Sequence, residues 1–272
     1  MLFAEHRVVV RGGGDLATGV VARLHRAGFP LVVLELPTPL AIRRAVSVAR
    51  AVSEGAAVIE DLSARLVNTP GEALEVGATG AIPVLVGEHL PAFPEPVSVL
   101  VDARLAKRTL DTSIDQAPLV VALGPGFVAG VDCHAVVETN RGHRMGRVIW
   151  SGTVEPDTQV PDPVAGQAVD RVLRAPAAGV FEGRARLADR VKRGDLLGVV
   201  ERVGLRAQFD GVLRGLLHDG VEVQAGLKVG DLDPRNDPEL CHLISDKALA
   251  VGGGVLEALL TRPEIRRRLV EG

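Results

Sequence analysis

The sequence predicts an α/β protein: an N-terminal Rossmann-like parallel-sheet domain, then a small duplicated all-β domain, then a C-terminal helix. Three observations predict it. An apolar run, Val8-Val9-Val10, meets the glycine knot Gly12-Gly13-Gly14, and a helical pattern begins at once. Further apolar runs follow along the first half, as expected of strands covered on both faces. From Leu173 the chain changes to short apolar pieces broken by glycine, and these repeat.

The elements follow in order. Val8 to Val10 reads as a buried strand and Leu31-Val32-Val33-Leu34 as a second. Between them Leu16, Val20, Val21, Leu24 and Ala27 recur at helical spacing, and Gly28 supplies a stop. A strand–helix–strand unit of this length is a right-handed crossover and implies parallel pairing. Thr38 as N-cap with Pro39 at the first helical position predicts another helix start. Val58-Ile59-Glu60, Ile82 to Val86, Val97 to Val101, Pro118 to Leu123 and Val131 to Val137 read as further strands. A last helix runs through Val255-Leu256-Glu257-Ala258-Leu259-Leu260, entered by Gly252-Gly253-Gly254, a possible anion site or a tight backbone contact.

Composition narrows the classes. The chain has 272 residues, 47% of them hydrophobic, so it can bury a sizeable core. A formal net charge of −3 and 3% aromatics argue against a nucleic-acid binder, and tyrosine is absent. No stretch has the length of a membrane span, and charged residues come too early for a signal peptide. Two distant cysteines, Cys133 and Cys241, fit a reducing cytoplasm, which is the expected location.

Site candidates cluster at predicted strand ends, where open α/β sheets hold their ligands. Gly12, Gly13 and Gly14, with Ala17, read as a phosphate-binding turn whose amides approach a diphosphate, and Glu35 as an acid for a ribose. Asp15 within the turn repels phosphate unless Mg²⁺ intervenes; alternatively it caps the helix, and Glu35 is then a solvated strand end. Arg43, Arg44, Lys107 and Arg141 are candidates to neutralise an anion, and Gly124 and Gly126 form a second glycine loop. His134 and His143 are candidates for proton transfer, with Asp15 a further catalytic candidate. Cys133 needs a lowered pKa to act as a thiolate, and no sequence feature supplies one. The Cys133-His134 and Cys241-His242 pairs lack metal-ligand spacing, so no firm metal site is expected beyond Asp15 through Mg²⁺.

In the second half, Leu173, Arg174, Ala175, Gly179, Val180, Gly183, Val191, Gly194 and Gly198 each recur 32 residues later. Ala175-Pro176-Ala177-Ala178-Gly179, Val191-Lys192-Arg193-Gly194-Asp195, Asp210-Gly211 and Val223-Gln224-Ala225-Gly226 resemble the biotinyl/lipoyl barrel-sandwich hybrid. The connection where carriers of that fold display a modified lysine is here Glu201-Arg202-Val203-Gly204, so a swinging-arm carrier is excluded. The expected domains are residues 1–165, 166–235 and 236–272.

Gly12 to Gly19, Glu35, Ala41-Ile42-Arg43-Arg44, Gly124-Pro125-Gly126-Phe127, His134 to His143, Asp231-Leu232-Asp233-Pro234-Arg235 and Ser245-Asp246-Lys247-Ala248 together resemble the YqeB family, described as proteins of the selenium-dependent molybdenum hydroxylase system. The resemblance runs almost end to end. It implies an accessory role in maturation of, or cofactor supply to, a molybdenum hydroxylase, with that enzyme or its maturation machinery as partner. The ligand expected with it is a nucleotide or a molybdenum-cofactor (pterin) nucleotide diphosphate. An NAD-dependent oxidoreductase and a non-enzymatic docking protein stay open as alternatives.

Overall fold

A computed structural model describes residues 1–106, 111–157, 164, 166, 167 and 169–271. Lys107 and the expected boundary at residue 165 lie outside the described residues. The chain forms two compact units, each discontinuous in sequence. The first comprises Met1–Pro39, Val48–Asp157 and Ile244–Gly272; the second comprises Leu40–Ser47 and Thr158–Leu243.

The first unit holds a nine-stranded sheet. Its strands are β1 (Val8–Arg11), β2 (Leu31–Glu35), β3 (Ala56–Ile59), β4 (Leu62–Val67), β5 (Ile82–Val86), β6 (Val99–Asp102), β7 (Leu119–Leu123), β8 (Ala135–Val137) and β9 (Val148–Ile149). They lie in the order β3-β4-β5-β2-β1-β6-β7-β8-β9. The seven central strands pair in parallel, and β3 and β9 pair antiparallel at the two edges. Val8, Val9, Val10, Val99, Leu100 and Val101 are fully shielded from solvent, as continuous apolar strands between covering layers must be.

Helix α1 (Asp15–Arg26) follows β1 and buries Leu16, Val20, Val21 and Leu24 at helical spacing. Helix α2 (Arg50–Glu54) is a single short turn, and α3 (Pro70–Ala78) starts where Thr69 accepts the Glu72 N–H, with proline in its first turn. Among the described residues, the connections from β6 to β7 and from β7 to β8 contain no α-helix. Their cover comes from the far end of the chain, because α4 (Asp246–Leu260) packs on α1 and on β7, β8 and β9. Two short helices, α5 (Pro263–Arg266) and α6 (Arg268–Glu271), finish the chain.

Glycines make the α1–α4 crossing possible. A Cβ at Gly19 would sit 2.2 Å from the Ala248 carbonyl oxygen, and one at Gly252 would sit 2.3 Å from that of Gly19. Both lie inside real-atom contact distance, so the two backbones approach only because Gly19 and Gly252 carry no side chain. Gly252-Gly253-Gly254 therefore lies within a helix and not at its entry, and of the two expected readings tight packing holds for Gly252 and Gly254.

The second unit contains β10 (Val172–Arg174), β11 (Gly179–Gly183), β12 (Arg190–Val191), β13 (Leu196–Val200), β14 (Val203–Arg206), β15 (Gly211–Leu216), β16 (Glu222–Val223) and β17 (Lys228–Asp233). They make two antiparallel four-stranded sheets, β10-β17-β15-β12 and β14-β13-β11-β16. The 32-residue repeat relates β10 to β14, β11 to β15, β12 to β16 and β13 to β17. Exchanging the copies turns one sheet into the other, so each sheet takes two strands from each copy. Phe181, Leu197, Leu213, Leu216 and Leu232 lie in the core of this unit.

The expected Rossmann-like parallel sheet followed by a barrel-sandwich hybrid is corrected by these topologies. The first unit is a mixed nine-stranded sheet with antiparallel edges and a helical layer partly supplied by the C-terminal helix. The second is a pair of interleaved antiparallel sheets joined by Leu40–Ser47 from the first half of the chain. The helix expected from Thr38 and Pro39 does not form. Instead the Leu216 N–H donates to the Ile42 carbonyl at 2.9 Å, and Arg44 Nε donates to that of Leu216 at 2.7 Å. These tertiary bonds override the local cap signal.

Candidate functional site

In a parallel sheet every strand ends at the same edge, and loops there are spared from building the core. The carboxyl edge of the first unit gathers the ends of β1, β2, β6, β7 and β8. Its three N-terminal glycines have separate jobs. Gly12 has φ +95°, and a Cβ there would lie 3.2 Å from the Ala103 carbonyl oxygen, so only glycine fits. A Cβ at Gly13 would approach Ala49 N to 2.9 Å, because the Ala49 N–H donates to the Gly13 carbonyl. Gly14 is the N-cap of α1, and its Cβ direction is open space. Two of the glycines thus close the turn, and the third borders an opening at the positive end of a twelve-residue helix.

Asp15 is the first residue of that helix and not its cap. Its Oδ1 accepts the Leu16 N–H at 3.0 Å, and its charge is compatible with the helix dipole. Glu35 is not a simple solvated strand end. Its carboxylate accepts the Gly13 N–H and the Leu36 N–H, each at 2.7 Å. Burial pushes its pKa up, against the opposing pull of these two donors. The acid is therefore tied to the turn.

Beside the turn lies an ionic cluster with a buried centre that sequence reading missed as a unit. Arg11 and Asp102 are register partners at the ends of β1 and β6, and they are 1% and 0% exposed. Asp102 accepts from Arg104 Nη2 and Thr112 Oγ1, both at 2.6 Å. Arg11 donates to Thr112 Oγ1 at 3.0 Å and to Asp111 at 2.6 Å, and Arg104 reaches Asp111 at 2.9 Å. Burial opposes ionisation of Asp111, but donors on Arg11, His89 and Arg104 outweigh it and hold the carboxyl well below the usual range. The sequence signal was a charged residue closing each of two apolar strands.

The remaining loops adjoin in series. The Gly12 Cβ direction meets Arg104 Cα at 3.3 Å, and that of Gly124 meets Thr139 Oγ1 at 2.9 Å and Leu105 Cδ2 at 3.6 Å. Gly124 and Gly126 both have positive φ. Glu138, 2% exposed, accepts the Asn140 and Glu155 N–H groups at 2.7 Å and pins the loop after β8. On that loop His143 is exposed, and Arg141 pairs bidentately with Asp246, both contacts at 2.9 Å. Gly12–Asp15, Glu35, Gly124, Gly126, Arg141 and His143 therefore share one edge.

Other candidates are elsewhere. His134 precedes β8, at the amino edge of the sheet, so it cannot serve a ligand held beside Gly14. Arg43 and Arg44 belong to the second unit, where Arg43 Nη2 donates to the Leu243 carbonyl at 3.2 Å. Cys133 and Cys241 are buried; burial is the leading cause that pushes the first thiol up to about 12 and raises the second. Neither is a thiolate at neutral pH. Among the described residues no group of three or more His, Cys, Asp or Glu side chains could hold a metal ion. Nor, among them, is any helix long and apolar enough to cross a membrane.

No protein-family description matches the chain. Against curated proteins it is 47% identical over 255 residues to the uncharacterized protein YqeB of Escherichia coli K12, a match covering 93% of this chain. The chain is thus similar to YqeB over nearly all of its own length. It spans 47% of the length of that relative. Among solved structures, an aspartoacylase family protein from Mesorhizobium loti aligns at 13% identity over 84% of each chain, with a TM-score of 0.26. A succinylglutamate desuccinylase/aspartoacylase from Rhodobacter sphaeroides aligns at 14% identity over 84% of this chain and 86% of its own, with a TM-score of 0.27. Likeness this slight bears on neither fold nor activity. The YqeB match agrees with the resemblance carried by the sequence motifs; it does not speak to selenium or molybdenum.

Proposed function

We propose that this YqeB relative is an accessory protein for maturation of, or cofactor supply to, a selenium-dependent molybdenum hydroxylase, and that it binds a nucleotide or pterin-nucleotide diphosphate at the carboxyl edge of its first unit. The observation that carries the binding half is the N-cap of α1 at Gly14, where a Cβ would meet no atom within 4 Å beyond its chain neighbours. The Gly12, Gly13 and Leu16 amides are engaged by the Leu34 carbonyl, Glu35 and Asp15, so a phosphate would be met by the remaining amides at the start of α1, where the helix dipole favours its charge. Asp15 supplies one carboxylate, which fits Mg²⁺ held jointly by protein and phosphate, since Mg²⁺ commonly uses one or two carboxylates plus phosphate oxygens and water. The accessory half rests on the family resemblance alone.

The NAD-dependent oxidoreductase fares worse. Glu35, its ribose acid, is engaged by Gly13 and Leu36, and His134, one of its proton donors, is at the other edge of the sheet.

A thermal-shift panel of ADP, CTP, NAD and a molybdopterin extract, with and without Mg²⁺, tests the reading. A ligand at 100 times its Kd adds about 2.7 kcal/mol to the folded state and raises Tm accordingly. A Mg²⁺-dependent rise with a nucleotide or the extract is expected. A rise with NAD alone would favour the oxidoreductase. No rise with any of them, in a chain that still co-purifies with a molybdenum hydroxylase, would make it a docking protein.

A further inference from the structure

The amino edge of the same sheet carries an open, solvent-facing depression of about 590 Å³. It lies beneath the starts of β6, β7 and β8 and belongs wholly to the first unit, on the far side of the sheet from Gly14. Phe93, Val97 and Ile114 give it an apolar wall. Of its polar residues, Glu95 is taken by Arg7 at 2.5 Å. Gln116 is taken on both ends, accepting the Ser113 N–H at 3.2 Å and donating to the Asp111 carbonyl at 2.8 Å. Asp115 and His134 are left to address a ligand.

The state of His134 follows from its backbone partners. Its N–H donates to the Val120 carbonyl at 2.8 Å, and its Nδ1 accepts the Val120 N–H at 3.0 Å. An acceptor Nδ1 requires the neutral ring to carry its proton on Nε2. Burial, helped by Arg262 and opposed by Asp115, lowers the pKa of the ring and so favours its neutral form. His134 is thus a fixed hydrogen-bond donor and not a proton shuttle.

We infer that this depression is a binding site for a small amphipathic amine carrying a carbonyl, such as the amide of an apolar amino acid. The apolar body lies against Phe93, Val97 and Ile114, the carbonyl accepts from His134 Nε2–H, and the ammonium faces Asp115. Asp115 weighs against a free carboxylate in place of the amide and Arg262 weighs for it, so the contrast between amide and free acid reads which charge governs the site.

Calorimetric titration of the full chain with phenylalaninamide, phenylalanine and benzamide tests this. Saturable one-to-one binding is expected for phenylalaninamide, at least tenfold weaker for the other two. Asp115→Asn and His134→Phe should each weaken it about tenfold or more. Asp115 is exposed, so its variant reports on binding even if His134→Phe disturbs the Val120 backbone. In long-range ¹H–¹⁵N spectra, His134 should show the Nε2–H tautomer, with its resonances moved by the amide. No saturable binding, equal affinity for phenylalanine, or binding unchanged in both variants would overturn the assignment.

Discussion

The Gly13 amide donates to the Glu35 carboxylate at 2.7 Å, so the acidic end of β2 is built into the turn that ends β1. Burial raises the pKa of Glu35 above its unfolded value. The folded state therefore binds this proton more tightly than the unfolded chain does, and stability falls as pH rises through the folded pKa. Glu35→Gln removes that dependence. Urea unfolding from pH 4.5 to 7.5 should show wild type losing stability relative to Glu35→Gln as pH rises; parallel curves would refute the assignment.

The two kinds of glycine separate by substitution. Gly19→Ala forces a methyl into the Ala248 backbone and should cost about 3 kcal/mol or more, at or beyond the upper end of ordinary overpacking. Gly14→Ala enters open space at φ −66° and should cost under about 1 kcal/mol. Thermal or urea denaturation of both variants reads the difference.

Arg11 and Arg141 both make charge pairs, in opposite settings. Arg11→Met removes a buried guanidinium that holds Asp111 and Thr112, which keep Arg104 and Asp102 as partners, and should cost about 1.5–3 kcal/mol. Arg141→Met breaks an exposed pair with Asp246 and should cost under about 1 kcal/mol. Equal losses would show that the cluster at the ends of β1 and β6 is not what holds this edge.

Cys133 and Cys241 should resist a disulfide reagent in the native protein at pH 7.5, and both should react once it is unfolded in guanidinium. Rapid labelling of the native chain would contradict the burial of the thiols.

Local features were the legible ones. The β1–α1–β2 unit could be read because an apolar run, a glycine turn and a helical repeat are contiguous. The strand duplication was equally plain, but which strands of the two copies share a sheet depends on pairings such as Val172 with Asp231, far apart in the chain. The antiparallel edges β3 and β9 are short and weakly patterned, and they make the sheet mixed. Glycines at 252 and 254 look like a ligand loop until α1 and the Gly146 backbone are seen beneath them. The Arg11–Asp102 cluster joins residues about a hundred positions apart, and no local pattern encodes such a meeting. His134 shows the same limit: its density of polar neighbours in sequence said nothing of which edge of the sheet it would occupy.

The central claim is that the turn at Gly14 and Asp15 holds a diphosphate with Mg²⁺. Isothermal titration of the full chain with ADP and with CTP, each with and without Mg²⁺, compared with Asp15→Ala, tests it most directly. The account predicts saturable one-to-one binding that requires Mg²⁺ and falls at least tenfold in Asp15→Ala, while the variant keeps its Tm within a few degrees. Binding indifferent to Mg²⁺ and to Asp15, or no binding of either nucleotide, would contradict it.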